Sequence, residues 1–440
     1  MSQVVTLKKN LLNTKDMEKW MLRIKEDIIR YRKVENSEEL KAFRALQSIV
    51  ETKAFQDNKQ YLLKRKYRQT DEYKQTRRFH ILRHYTPRVI GYLLYARNTD
   101  LHDYIEFTHT DAYSLLQDKE AISASATLQK YKRIGNSFAW KRYQKLEQSN
   151  EVQEYLALRD IIETDDFQQR KAFWSNPKRW YTTPESQQDA QYTALKQSDD
   201  IRFFMAQNPA QIAEWERYKL SMNEDFEGTT WQNGQWDAGF YYANPNLKTD
   251  HSYDNEQQAN HQGKNTSVDN STLRIETRKE KATASAWHPV KGFIQKTYHY
   301  TGDILQAGQH FQQAEGVFMA KVRFSGKTHA AVFLGTGTRL PLLSLIQWNG
   351  KSMGVGMGTE KGVARTEIGN LKPNKWMIYS VVIQKKDIVW YINDQEVMRQ
   401  PNTLNGDSFY PAITTFLPQQ AKAGVGKVEV DWVKVYTVDF

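Results

Sequence analysis

The chain has 440 residues, no cysteine, an aromatic share of 12% and a formal net charge of +11. That length exceeds what one ordinary core organises, so at least two domains are expected, and the lack of cysteine excludes disulfides, thiolate metal sites and cysteine nucleophiles. No run of 18 apolar residues offers a membrane span, and an apolar share of 39% argues against disorder.

The basic excess is local. Residues 1–150 carry 30 Lys and Arg against 18 Asp and Glu, residues 151–220 carry 9 against 12, and residues 221–440 carry 23 against 21. A basic helical region can meet a polyanion. A solvated helix face is the commoner cause, so nucleic acid is not the expected partner. The opening residues MSQVVTLKKNLLNTKD lack the apolar core and small-residue cleavage site of a secretory leader. A cytoplasmic location is expected on that ground, or a periplasmic or cell-surface one if a leader has been removed.

From Lys8 to about Leu220 the apolar residues fall at helical spacing. Met21, Ile24, Ile28, Ile29 and Tyr31 define an amphipathic opening helix. Turns are expected near Asn176-Pro177, Thr183-Pro184 and Asn208-Pro209, with Pro184 and Pro209 in the first turns of new helices. Phe43 to Tyr61, FRALQSIVETKAFQDNKQY, returns 112 positions later as Tyr155 to Phe173, YLALRDIIETDDFQQRKAF, and YQKLEQS from Tyr143 returns as YTALKQS from Tyr192. The repeated positions are aromatic or aliphatic at three- and four-residue steps, which suits stacked helix pairs sharing a seam, and Thr52 and Thr164 sit as helix N-caps. Such a stack offers an interaction surface for a protein partner and no chemistry. His80 and His84 alone have the i, i+4 spacing of a metal pair, but they stand among arginines without a nearby carboxylate. No metal and no cofactor is expected.

After Trp215-Glu216-Arg217-Tyr218 the period changes. Leu273, Ile275 and Thr277 alternate with charges, as do Phe318, Ala320, Val322 and Phe324. Tyr379, Val381 and Ile383 precede an apolar Ile388 to Ile392 strand and an Asn393-Asp394 hairpin turn. About 220 residues of this pattern predict a sandwich of two antiparallel sheets. The reading is therefore a basic α-helical repeat or bundle domain over 1–220 and an all-β domain over 221–440.

Several segments of the second domain carry a resemblance. NEDFEGTTWQNGQW from Asn223, the SYDNEQQ to LRIETRKE stretch from Ser252, KGFIQKTYHY, GVFMAKVRF, the NKWMIYSVVIQKKDIVWYINDQEVMR strand pair and the closing KVEVDWVKVY occur in the order seen in glycoside hydrolase family 16. The chain resembles that laminarinase and lichenase family over residues 221–440, and the resemblance implies a concanavalin A-like jelly roll. Met319 stands where the family usually has Glu. The layout of helical repeats before the jelly roll also looks like that of Bacteroidetes proteins labelled family 16.

Retaining glycosidases need two carboxyl groups about 5–5.5 Å apart, a nucleophile and a proton donor. In the resembled family both come from one bulged strand, E-x-D-x-x-E, which aligns with RLPLLSLIQWNG so that Leu342, Ser344 and Gln347 take the three acidic positions. None of the three can serve as an acid, so the chain is expected not to be an enzyme by this mechanism. Between Asp303 and Glu360 the sequence holds one carboxylate, Glu315, and a displaced pair would have to draw on Glu315, Glu256 or Glu360. There is no Gly-x-Ser-x-Gly elbow and no phosphate-binding loop, and Gly354, Gly356 and Gly358 read as small residues on one strand face. The resemblance implies Asn255, Trp287, His329, Gln347 and Trp348 as ligand-binding candidates, although Leu342, Leu343 and Leu345 suggest a dry or filled groove. Asn265 and Asn270 begin glycosylation-type triplets.

Three functions follow. The first is a non-catalytic carbohydrate-binding or scaffold protein whose partner is a polysaccharide or oligosaccharide. The second is a retaining β-glucan or galactan hydrolase with displaced acids. In the third, the helical region binds protein or polyanion beside an inert jelly roll.

Overall fold

The computed structural model describes residues 3–8, 11, 13–404 and 406–439. The chain forms two compact units, Met1–Lys33 with Ala206–Phe440, and Val34–Met205.

In the helical unit the repeat is a repeat of structure. Helices Glu38–Val50 and Lys53–Lys64 correspond to Asn150–Ile162 and Asp165–Ser175. Thr52 Oγ1 accepts from the Phe55 N–H and Thr164 Oγ1 from the Phe167 N–H, both at 3.3 Å. Gln56 and Gln168 each donate across the turn, to the Val50 and Ile162 carbonyls, both at 2.7 Å. The repeated polar residues thus satisfy helix-end groups that would otherwise lack partners. Phe55 and Phe167 are buried, and Phe167 joins a core with Phe79, Val89, Tyr143, Val152 and Tyr155. Pro184 and Pro209 open their helices, with Thr183 and Asn208 as N-caps. The rings of His80 and His84 stack at 5.8 Å.

The other unit is a jelly-roll sandwich. One sheet runs, in spatial order, Gln3–Thr6, Gly362–Gly369, Met353–Thr359, Leu342–Trp348, His329–Gly335, Tyr410–Phe416, Ile304–Gln306 and Asp237–Ala238. The second runs Gln395–Pro401, Asp387–Ile392, Met377–Ile383, Gly316–Gly326, Gly426–Val438, Thr272–Thr277 and Thr266–Asp269, with Tyr218–Glu224 also paired to Gly426–Val438. Alternation decides the faces. Phe318, Ala320, Val322, Phe324, Tyr379 and Val381 of the second sheet meet Val332, Leu334, Leu343, Leu345, Ile346 and Val355 of the first in one core. The opening segment is pinned by Glu224, whose carboxylate accepts from the Phe226 N–H at 2.8 Å and the Trp236 Nε1–H at 3.1 Å.

The unit boundary differs from the one that composition suggests at 220/221. Helix Thr14–Glu35 follows the expected amphipathic pattern, but Met17 packs with Val317, Met319, Ile378 and Trp432 on the outer face of the second sheet, and Met21 lies against the same cluster. Lys321 on that face holds Glu18 at 2.8 Å and Asp431 at 2.9 Å. Residues Gln3–Thr6 add a parallel edge strand to Gly362–Gly369. A helix-like composition at the N-terminus is therefore part of the β unit, because that outer face is apolar and needs a cover. Met319 belongs to this covered patch.

Asn265 is fully buried and donates to the Glu276 carbonyl at 3.0 Å and Thr301 Oγ1 at 2.8 Å, so its side chain serves the fold. Among the described residues no helix is long and apolar enough to cross a membrane.

Candidate functional site

The strand Leu342–Trp348 carries a β-bulge. Ser344 pairs with Gly356 and Gln347 with Gly354, so Leu345 and Ile346 together face a single residue of the neighbouring strand. One extra residue changes the parity of the alternation. Leu343, Leu345, Ile346 and Trp348 therefore all enter the core, while Leu342, Ser344 and Gln347 line a cleft of about 630 Å³ on the opposite face. The ladder partners of these three are Gly358, Gly356 and Gly354. Three glycines side by side leave a low floor, and the space over Gly354 is taken by Arg365: a Cβ added at Gly354 would lie 2.9 Å from its Nε.

The wall facing this floor is aromatic. His251 is stacked on Phe240 at 4.6 Å between ring centres and lies 5.5 Å from Phe293, and its Nε2 is 3.0 Å from the Tyr242 hydroxyl. Trp287 meets Phe293 edge to face at 5.1 Å and remains 41% exposed. Flat, partly exposed rings beside hydroxyl and amide groups are what a sugar face requires. Burial lowers His251, and burial together with the Arg365 charge lowers His329. Burial raises Tyr242, against the pull of the nearby Arg339.

Two carboxyl groups line the cleft among the described residues, Glu256 and Asp303. Asp303 is committed to the fold: its oxygens accept from the backbone N–H groups of His261, Gly263 and Asn265 at 3.1, 2.9 and 2.6 Å and from Thr266 Oγ1 at 3.1 Å. Burial pushes Glu256 up to about 8, against the pull of Lys296. Burial thus biases it toward its neutral form. Of the other carboxylates considered for a displaced pair, Glu315 and Glu360 do not line the cleft.

The candidates separate by position. Gln347 and Trp287 line the cleft; Asn255, His329 and Trp348 do not. Trp348 is 6% exposed, because the bulge turns it into the core. His329 sets its ring edge against Phe416 at 5.4 Å. Asn255 is exposed and accepts a backbone hydrogen bond from Gln419 at 3.0 Å. The sequence reading missed Arg365, Arg339 and the Phe240, Tyr242, His251 and Phe293 cluster. The GFYYAN run at Gly239 and the alternation in VARTEIG were the only local signs of them.

No protein-family model and no curated protein matches the chain. Solved structures do. A laminarinase catalytic domain from Thermotoga petrophila is 12% identical, covering 51% of this chain and 99% of its own length with a TM-score of 0.41. An endo-β-1,3-glucanase from Pyrococcus furiosus is 16% identical, at 50% and 95% coverage and a TM-score of 0.40. The LamA catalytic domain from Zobellia galactanivorans is 17% identical, at 50% and 97% coverage and a TM-score of 0.38.

The β unit resembles glycoside hydrolase family 16. In the first sheet the bulged strand presents a leucine, a serine and a glutamine to the cleft. The cleft also carries Lys248, Arg339 and Arg365 in its lining, so among the described residues cations outnumber carboxyl groups there.

Proposed function

We propose that the cleft binds a saccharide without hydrolysing it. The observation that carries this reading is the trio Leu342, Ser344 and Gln347, which lines the cleft floor without an acid. Retaining hydrolysis needs a nucleophile and a proton donor about 5–5.5 Å apart, and loss of either costs orders of magnitude in rate. Glu256 supplies one carboxyl group, which burial biases toward its protonated form, and it has no free partner, since the oxygens of Asp303 are engaged by the loop at 261–266. Two of the structures named above are described as endo-β-1,3-glucanases, and a glycan is the ligand class proposed here. Trp287 and the ring cluster around His251 provide apolar platforms, and Gln347, Ser344 and Tyr242 provide hydrogen-bonding groups.

The test is to incubate the purified chain with a panel of neutral and acidic oligosaccharides and to measure heat of binding and reducing ends in parallel. Binding with no new reducing ends is expected. Release of reducing ends by the wild-type chain, lost in Glu256→Gln, would overturn the non-catalytic reading in favour of a displaced acid.

A further inference from the structure

We infer that the saccharide is acidic, and that its carboxylate or sulfate ester docks on the Arg365 guanidinium beside Gln347. This rests on the saccharide-binding reading and names the class of sugar.

Arg365 belongs to the strand Gly362–Gly369 and pairs with Gly356 in the ladder. Its guanidinium leans over Gly354, which is itself the ladder partner of Gln347; an added Cβ there would meet Nε at 2.9 Å and Nη2 at 3.3 Å. The charge therefore sits next to the third of the positions where the resembled family carries an acid. Both Nε and Nη2 are buried and donate to nothing among the described residues. Unpaired buried donors of a permanent cation are costly to keep. An oxyanion in the cleft would meet the part of the Arg365 guanidinium that lines it, and a planar guanidinium holds paired oxygens better than the ammonium of lysine does.

The rest of the cleft agrees in sign. Arg339 stands exposed on the wall near Tyr242 and Tyr253, and Lys248 lines the same cleft. Of the two carboxyl groups, Asp303 is enclosed by its loop donors and burial biases Glu256 toward its neutral form. A low-dielectric wall on which cations outnumber carboxyl groups concentrates anions. The aromatic rings then hold the sugar faces while the guanidinium selects the acid.

The experiment titrates the full chain with four probes: a neutral β-1,3-glucose tetramer, a galacturonic acid tetramer, a sulfated galactose tetramer and inorganic sulfate. One of the two acidic tetramers is expected to bind at least tenfold more tightly than the neutral one, weakening as salt is raised, and Arg365→Met should abolish that advantage. Which acidic tetramer wins tells carboxylate from sulfate ester. If Arg365→Met does not fold, the exposed Arg339→Gln carries the test and should weaken the acidic tetramer severalfold. Equal binding of neutral and acidic tetramers, untouched by Arg365→Met, overturns the acidic preference and leaves saccharide binding standing. Acidic binding that survives both substitutions places the anion outside the cleft and overturns the inference. Inorganic sulfate binding as tightly as the sulfated tetramer overturns the sugar part, and no binding by any tetramer overturns the saccharide reading itself.

Discussion

Trp390, in one sheet of the sandwich, donates its indole N–H to the carbonyl of Ser344 in the other, at 3.0 Å. Ser344 borders the bulge that brings Gln347 onto the cleft face shared by Leu342 and Ser344, so a fully buried core tryptophan anchors the backbone of the candidate site. A bulge takes backbone groups out of the ladder, and those groups need other partners.

Trp390→Phe keeps a ring in the core but removes the donor. The Ser344 carbonyl then loses its side-chain partner, and the cavity left by the smaller ring adds to the loss. Unfolding in urea should show a loss of about 2–4 kcal/mol. A loss below about 0.5 kcal/mol would mean that the bulge does not depend on this bond.

Asp303→Ala removes the acceptor for three backbone N–H groups and the Thr266 hydroxyl. Burying those donors unpaired should destabilise the β unit by about 3–5 kcal/mol, with faster amide exchange at Gly263 and Asn265. Unchanged exchange there would show that the loop is held by other contacts.

Glu256 sets a pH dependence. Its folded value of about 8 lies above the ordinary 4.5, so between those pH values the folded chain keeps a proton that the unfolded chain releases. Stability from this group is greatest below the lower value, falls as pH rises through the window and levels off above the upper one. Glu256→Gln removes the loss, and its stability relative to wild type should rise from pH 5 to pH 8, by at most about 1.4 kcal/mol per pH unit. A constant gap over that range would show the carboxyl to be ionised in the folded chain.

A fragment comprising residues 221–440 lacks the Thr14–Glu35 helix. That leaves Val317, Met319, Ile378 and Trp432 uncovered and Lys321 without Glu18. The fragment should bind a hydrophobic dye and melt well below the β unit of the intact chain. An identical melting temperature would mean that the helix contributes nothing to the sandwich.

The local content of the fold was legible because it depends on neighbours. Period-two alternation named the buried face of Leu273, Ile275 and Thr277 and of Phe318 to Phe324, and the Thr52 and Thr164 caps needed only the three residues after them. Trp348 was misplaced for a local reason as well. A bulge is a change of register against a partner strand, and without the partner the parity beyond Ile346 stays undefined.

The sequence by itself determined that a helical, basic front precedes an alternating back half, and that the strand at 342–348 holds no acid, since composition and period are properties of the chain alone. Only the tertiary structure decided what surrounds that strand. Gly354 faces Gln347 and admits Arg365 through the register of two hairpins. Burial in the folded chain raises Glu256 above its ordinary value. Helix Thr14–Glu35 covers a sheet about 300 residues away in sequence because burying an apolar face outweighs closing a long loop, whose entropic cost grows only with the logarithm of its length.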